Sequence, residues 1–324
     1  MAYILQRHWK NSTSMNNITI YQFTDPICVW SWGNDAVLRA IEYLYGDKIR
    51  IEYVMGGLVE DISTLYDLKG SKLEIVRRSN QIFAENWNAA SLRHGMPVAT
   101  HNFALFSERY PSSFPQNIAY EAAKRLNPQK AKRFLRLLRE ATFIEGKRTS
   151  QIDIIIKEAT RAGFCAAKFI DEYTTGSAQA DFMQDRMKCK RNGVTGFPSY
   201  IIRNDDTKIF LRGYQNFSTM QALISRLSAD KVKPRRIGPS KTNVIDFIKH
   251  YGRVFPVEIE VAFNLDKDKT DLIINELAHN RKIKYEEIGN GHIISPISTE
   301  WTQKKEDRSS EENQNNKKQR KIEA

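Results

Sequence analysis

Cys28 stands where a predicted strand passes into a predicted helix, in the segment Asp25-Pro-Ile-Cys-Val-Trp-Ser-Trp32. A cysteine at a helix N-terminus meets unpaired backbone N–H groups and the positive end of the helix dipole, and both favour the thiolate. The position therefore predicts a lowered pKa and the fastest reaction of the three cysteines. The alternative, that Cys28 is a buried cysteine at a helix start without chemistry, stays open.

Ser31 lies three residues after Cys28, where a Cys-x-x-Cys redox pair has its second cysteine. A serine hydroxyl can hydrogen-bond a thiolate but cannot form a disulfide. No neighbour at this spacing could resolve a mixed disulfide on Cys28, which excludes a two-cysteine oxidant at this site. Isomerisation, exchange assisted by glutathione, and the holding of a partner are the remaining functions.

The other two cysteines are Cys165 and Cys189. Basic neighbours are expected to lower the pKa of Cys189, which makes it an alternative resolving thiol. A structural cysteine or one on a helix surface is the favoured interpretation. Cys165 begins an apolar helix and is predicted to lie in the core. Three cysteines cannot form a disulfide framework, which fits a reducing compartment, so we expect a cytoplasmic protein.

A second motif, Gly193-Val-Thr-Gly-Phe-Pro-Ser199, comes just before a predicted hairpin. Proline has no N–H to offer a sheet, and in the cis form it makes a tight turn. We therefore predict a cis bond between Phe197 and Pro198.

The elements around these motifs predict an α/β fold. Residues 17–24 and 49–55 are typical of buried strands, and the helix between them completes a βαβ unit whose strands should be parallel. Residues 60–189 carry sustained helical periodicity and predict four to six helices. Two further strands and a helix follow, over residues 198–227.

The motifs in this order resemble a thioredoxin fold of the DsbA type over about residues 17–230. More narrowly, the chain resembles the cytoplasmic FrnE-like oxidoreductases of the DsbA family, whose first motif runs Asp-Pro-x-Cys-x-Trp-Cys-Trp. Five residues match that motif: Asp25, Pro26, Cys28, Trp30 and Trp32. Ser31 departs from it, where the family has its resolving cysteine.

The resemblance implies a catalytic Cys28, with Ser31 beside it, within contact distance of a cis-Pro198 across a groove. The backbone of Phe197 would pair with an extended peptide, and the remaining substrate contacts implied are those of Pro26, Trp30 and Pro198. It implies a protein or peptide thiol or disulfide as substrate, and no bound cofactor, with glutathione as a candidate co-substrate.

The predicted domains follow from the order of elements and the resemblance. They are a thioredoxin-like domain (17–59 and 190–230), a helical insertion (60–189), a linker (231–240), a winged-helix-like domain (241–298) and a disordered tail (299–324).

The chain has 324 residues and a net charge of +12, from 50 basic and 38 acidic residues. The basic residues between Lys124 and Arg139 are predicted to form the solvated face of a helix.

The winged-helix-like domain, by contrast, has eight bases and nine acids. DNA recognition draws much of its affinity from phosphate neutralisation, so we favour a protein partner at that domain over nucleic acid. No apolar run reaches the length of a membrane-spanning helix, and no membrane partner is expected.

Two functions from different classes therefore stay open. The first is an enzyme, a thiol–disulfide oxidoreductase or isomerase that uses Cys28, and the match to the oxidoreductase motif favours it. The second is a non-catalytic adaptor, since the chain also resembles the bacterial adaptors that deliver a redox-responsive transcription regulator to the ATP-dependent Clp protease. Their active-site motifs have drifted, as Ser31 has here.

Overall fold

A computed structural model describes residues 3–6 and 18–297 of the chain. The main sheet has the strand order β1-β5-β4-β2-β3. Its strands are β1 (Tyr3–Gln6), β2 (Ile18–Thr24), β3 (Ile49–Met55), β4 (Ser199–Arg203) and β5 (Thr207–Arg212). Strands β2 and β3 are parallel, and β4 is antiparallel to both β2 and β5. The parallel pair and the β4–β5 hairpin were both predicted from the sequence.

Strand β1 was not predicted from the sequence. It pairs antiparallel with β5 and adds a fifth strand at the edge of the sheet.

Helix α1 (Val29–Tyr45) crosses from β2 to β3 and covers one face of the sheet. Val37 and Ile41 recur at helical spacing, so they share one face of α1 and pack with Ile20 and Ile51 of the strands. Helix α9 (Phe217–Leu227) joins the same cluster at the position predicted for it.

The insertion after β3 contains seven helices, which corrects the prediction of four to six. They are α2 (Ile62–Leu65), α3 (Lys72–His94), α4 (Phe114–Leu126), α5 (Pro128–Phe143), α6 (Ile152–Arg161), α7 (Ala166–Thr174) and α8 (Ser177–Arg191). The additional helices were missed because some of the segments that separate neighbouring helices are very short. Asn127 alone separates α4 from α5, and its side chain caps α5 by accepting hydrogen bonds from the backbone N–H groups of Gln129 and Lys130.

Beyond residues 231–240 come three helices and a hairpin, in the predicted order. They are α10 (Lys241–Tyr251), α11 (Pro256–Phe263), α12 (Lys267–His279), β6 (Ile283–Ile288) and β7 (Gly291–Pro296). We refer to these five elements as the C-terminal module, and the winged-helix arrangement stays a prediction. The predicted disordered tail, 299–324, lies outside the described residues.

The predicted linker runs along the body of the protein. Val232 is buried, and the N–H of Arg235 donates to the carbonyl of Leu44 at 2.7 Å.

A buried carboxylate joins the C-terminal module to the rest of the chain. Glu258 of α11 is fully buried, and its oxygens accept hydrogen bonds from Arg39 of α1 at 3.1 Å and from Arg136 of α5 at 3.0 and 3.2 Å. The prediction that the basic residues 124–139 form a solvated face is therefore wrong for Arg136. It is also wrong for Arg139, which is buried and paired with Asp35. Each of these two arginines is buried with a carboxylate that is distant in the sequence, Glu258 for Arg136 and Asp35 for Arg139.

The network continues on both sides of Arg136. Its Nε donates to Glu140 at 2.8 Å, and Arg253 of the C-terminal module contacts the other oxygen of Glu140 at 2.9 Å. The Arg136 guanidinium also lies over the rings of Trp32 and Phe255, 4.6 and 5.1 Å from their centroids. Charge pairing and cation–π contact therefore hold one guanidinium at the meeting point of α1, α5 and α11.

The turn of the C-terminal hairpin makes a second contact with the body. The Asn290 side-chain oxygen accepts from the N–H of Val98 at 2.8 Å, and the N–H of Asn290 donates to the Val98 carbonyl at 3.0 Å. Gly289 (φ +57°) has no room for a Cβ, which would overlap the Val98 carbonyl. The hairpin turn therefore holds the loop that follows α3.

We expect Glu258→Gln to lower the free energy of unfolding by about 3–5 kcal/mol, because it leaves the buried Arg136 and the partly buried Arg39 without their shared negative charge. Denaturant unfolding measures the change. The matched control is Glu260→Gln on the same helix, a half-exposed side chain whose loss should cost less than about 0.5 kcal/mol. Equal losses for the two variants would contradict the central role of Glu258.

Candidate functional site

The carboxylate of Asp25 anchors the loop that leads to Cys28. Asp25 is fully buried, and one oxygen accepts from the N–H of Ile27 at 2.9 Å. The other accepts from the N–H of Leu58, from Ser113 Oγ and from Asn117 Nδ2 at 2.6–2.8 Å. Burial raises the pKa of Asp25, and these hydrogen bonds oppose the rise. One carboxylate thus ties the Cys28 loop to the end of β3 and to the helical insertion.

Cys28 is the N-cap residue of α1, as predicted, but its thiol is buried, with the residue only 4% exposed. Burial raises the pKa of Cys28, because the thiolate loses its hydration, and the nearby Asp25 raises it further. The Ser31 side chain and N–H, and more weakly Arg139, act in the opposite direction. The prediction of a lowered pKa is therefore wrong, since desolvation outweighs the helix terminus.

Ser31 is buried on the first turn of α1. Its hydroxyl makes no conventional hydrogen bond within the described part of the chain, although it is close enough to lower the pKa of Cys28. The residue can therefore support a thiolate but offers no second sulfur.

The Phe197–Pro198 peptide bond is cis, which confirms the prediction. The Pro198 carbonyl accepts from the N–H of Gly213 at 2.8 Å, which holds the start of β4 against the end of β5. The Phe197 ring covers Gly56 at the end of β3, where a Cβ would overlap it. Contact between Pro198 and Cys28 stays a prediction.

Cys28 and Phe197 line one groove of about 550 Å³. The other lining residues come from the Cys28 loop and α1 (Ile27, Val29, Trp30), from the segment after β3 (Leu58, Leu65, Tyr66) and from α3 (Phe83, Asn86, Trp87, Ala89, Arg93). The groove is thus mostly apolar, with an amide and a guanidinium supplied by α3. Pro26, a predicted substrate contact, is buried and lies outside this lining.

The α3 contribution was missed by the sequence analysis. Phe83 and Trp87 are four residues apart and so share one helical face, a spacing that also suits an ordinary core helix. From the sequence alone, a role of these two residues in lining the groove could not be distinguished from ordinary core packing, because the helix that lies near Cys28 was not known.

Trp30 borders the groove and contacts two rings outside it. His94 lies edge-on at 5.9 Å and Tyr214 at 6.3 Å, measured between ring centroids. Burial lowers the pKa of His94 to about 4, so its imidazole is neutral at pH 7. Trp30 is therefore positioned by a neutral histidine and a tyrosine.

The predicted core position of Cys165 and the predicted pKa of Cys189 are both wrong, whereas a structural Cys189, the favoured alternative, agrees with its burial. Cys165, expected in the core, is exposed at the start of α7, where the N–H groups of Lys168 and Ala167 lower its pKa. Cys189, expected to have a lowered pKa, packs with Phe23, Val54 and Ile201, and burial raises its pKa to about 12. Its basic neighbours do not compensate for burial, so Cys189 is poorly suited to resolve a mixed disulfide.

Residues 3–6 and 18–297 contain no cluster of three or more His, Cys, Asp or Glu side chains that could hold a metal ion. The same residues include no helix that is both long and apolar enough to cross a membrane.

We expect alkylation of the native protein to be fastest at Cys165 and much slower at Cys28 and Cys189, because exposure and a lowered pKa both favour the Cys165 thiolate. Reaction with iodoacetamide between pH 6 and 10, quantified for each cysteine peptide, measures the rates. Unfolding in guanidinium is the control and should bring the three rates within about a few-fold of one another. Fastest labelling at Cys28 would contradict this expectation and would indicate that Cys28 is an activated nucleophile.

The comparisons with known proteins agree with this geometry. The family model described as thioredoxin matches residues 21–222. The ClpXP adapter protein SpxH of Halalkalibacterium halodurans is 26% identical over 270 residues, which are 82% of this chain and 85% of that protein.

A putative protein disulfide isomerase from Nitrosomonas europaea has a TM-score of 0.56 and 17% identity, covering 66% of this chain and 99% of that one. A probable DsbA oxidoreductase from Streptomyces coelicolor has a TM-score of 0.50 and 15% identity, covering 68% and 94%. Both comparisons support a DsbA-like thioredoxin fold for this chain. With more than half of its length matched by the family model, this chain belongs to the thioredoxin family.

Proposed function

We propose that this protein is an adaptor for the ClpXP protease, which binds a partner protein and does not turn over disulfides. The observation that carries the proposal is the burial of Cys28 beside a serine, in place of an exposed pair of thiols. The partner class follows from the family resemblance and is a redox-responsive transcription regulator. A cytoplasmic location belongs to the same proposal.

The state of the three thiols argues against turnover. A disulfide exchange cycle needs an accessible thiolate to attack and a second thiol to release the product. Cys28 is buried with a raised pKa, Cys189 is buried with a pKa near 12, and Cys165 begins a different helix, α7. None of the three combines access, ionisation and a neighbouring sulfur.

The groove is suited to hold a peptide without any chemistry. Its apolar wall would receive the side chains of an extended segment, and the backbone of Phe197 would pair with that segment. Asn86 and Arg93 would fix the orientation of the segment through polar contacts at the α3 side. A mostly apolar groove with few polar groups is the usual design of a specific binding site.

The similarity to an adaptor extends beyond the thioredoxin region. The alignment with the SpxH protein takes in 82% of this chain, whereas residues 21–222 are fewer than two thirds of it. The C-terminal module, which Glu258 and Asn290 hold against the body, would therefore be part of the adaptor and offer a second partner surface.

We expect Phe197→Ala to weaken partner binding by about tenfold or more, because loss of a central aromatic anchor typically costs about 2 kcal/mol. Binding of the transcription regulator of the same organism by calorimetry, and its degradation by ClpXP, measure the effect. Phe210→Ala is the matched control, since Phe210 of β5 is a half-buried phenylalanine that packs against the same cluster as Phe197 but lies outside the groove lining. Equal effects of the two changes would contradict binding in the groove.

A second function is favoured by one observation, namely that Cys28 lines the groove together with Phe197, the residue before the cis-proline. A monothiol oxidoreductase would use Cys28 with glutathione as co-substrate. In that case the missing resolving thiol would limit the rate.

Insulin reduction with glutathione separates the two functions. For an adaptor we expect no activity above background in the wild type and in Cys28→Ser, because the thiol is buried and its pKa is raised. Wild-type activity that disappears in Cys28→Ser would support the enzyme. The Ser31→Cys variant tests whether the surrounding structure can still support a redox-active cysteine pair. Its second thiol would be intramolecular and would act at an effective concentration of about millimolar or more. Insulin-reducing activity that appears only in Ser31→Cys would indicate a former redox site that has lost its second cysteine.

A further inference from the structure

A second cleft, of about 600 Å³, lies between helices α1, α5 and α10. We call it the basic cleft, because eight of its lining residues are arginines or lysines: Arg39, Lys132, Arg133, Arg136, Arg139, Arg161, Lys249 and Arg253. It shares no lining residue with the groove at Cys28. The proposed adaptor function makes no use of it.

Most of these cations are neutralised where they stand. Arg136 and Arg39 share Glu258, Arg139 pairs with Asp35, and Lys132 lies 4.0 Å from Glu42. Arg253 and Arg161 pair with carboxylates of the helical insertion: Glu140, Glu145 and Glu158.

Two lining cations remain without a carboxylate in the described part of the chain. Arg133 of α5 and Lys249 of α10 are both exposed, and neither forms an ion pair with residues 3–6 or 18–297. The rim of the basic cleft therefore carries an excess positive charge, divided between the helical insertion and the C-terminal module.

A buried donor in the lining of the same cleft also lacks a partner. Arg139 is 1% exposed, and its terminal nitrogens donate to Asp35 and to Thr24 Oγ1. Its Nε has no acceptor among the described residues. A buried guanidinium N–H without a partner is costly, and an acceptor on a ligand would relieve that cost.

The other lining residues of the basic cleft include three carboxylates (Asp35, Glu42 and Glu140), His250, and a set of aromatic and aliphatic side chains. Tyr53 and Tyr251 contribute rings, and Leu38, Ile51 and Leu137 contribute apolar surface. The volume lies within the range of small-molecule sites. The apolar surface would accept the hydrophobic part of a ligand, and the excess of basic over acidic lining residues would accept an anionic group. An extended acidic peptide would gain little from this apolar surface.

We propose that the basic cleft binds a small organic anion, whose phosphate or carboxylate group lies between Arg133 and Lys249 and whose apolar part packs against Tyr53 and Leu137. Such a ligand would bridge α5 and α10. Because it would bind only the docked arrangement of the C-terminal module, its binding would stabilise that arrangement.

The test uses the full-length protein and 1-naphthyl phosphate, an aromatic anion whose fluorescence reports binding. We expect one saturable site with a Kd below about 1 mM at 0.15 M ionic strength, and weaker binding of inorganic phosphate, which lacks the apolar part. Arg133→Glu with Lys249→Glu should weaken binding at least tenfold, and the corresponding Gln pair should weaken it less. Lys231→Glu with Lys233→Glu is the charge-matched control at exposed positions outside the cleft and should leave Kd within twofold.

Four outcomes would overturn the proposal. These are no binding of 1-naphthyl phosphate, equal loss in the charge-matched control, binding of a decaglutamate peptide alone, and a tenfold loss in Phe197→Ala, which would place the probe in the other groove. All four outcomes are measured without ClpXP or a partner protein. A failure of the anion-site proposal can therefore be distinguished from a failure of the adaptor proposal.

Discussion

The pairing of Glu258 with Arg39 and Arg136 is the interaction on which the arrangement of this protein depends. A carboxylate taken out of water costs several kcal/mol unless its partners replace the lost hydration, and only the docked position of α11 brings both arginines to it. A buried ion pair adds little net stability over a well-packed apolar contact. Its effect is selectivity, because a shifted module would leave charges buried without partners. The stability comes from the surrounding rings, where Trp32 lies 5.4 Å from both Phe143 and Phe255.

The same contacts connect the C-terminal module to the Cys28 groove. Trp32, which Arg136 covers, stands next to Ser31 on the first turn of α1, and its indole N–H donates to the Pro97 carbonyl at 2.9 Å. The loop containing Pro97 is in turn held by Asn290 at the tip of the hairpin. The module therefore supports the turn that carries Cys28, and a partner bound in the groove would contact a surface whose shape depends on the module.

The sequence predicts local features well and long-range electrostatics poorly. The βαβ unit, the cis-Pro198 and helix α9 follow from hydrophobic periodicity and from proline chemistry, which act over a few residues. The pKa of Cys28 could not be predicted, because the burial that raises it results from tertiary packing around the start of α1. Arg136 and Arg139 have the spacing of an exposed helix face, and only their carboxylate partners, about 100 residues away in the chain or more, reveal that they are buried. Strand β1 is four residues long and becomes recognisable only through its pairing with β5.

These features describe a thioredoxin fold in which the Cys28 thiol is buried at the wall of an open groove. The central claim is that this groove binds a partner without any thiol chemistry. The most direct measurement is ClpXP-dependent degradation of the transcription regulator in the presence of a variant lacking all three cysteines, with Cys28, Cys165 and Cys189 replaced by serine. The account predicts a degradation rate within about twofold of that with the wild type, since no step requires a sulfur. Loss of delivery in the cysteine-free variant, with restoration when Cys28 alone is returned, would contradict it.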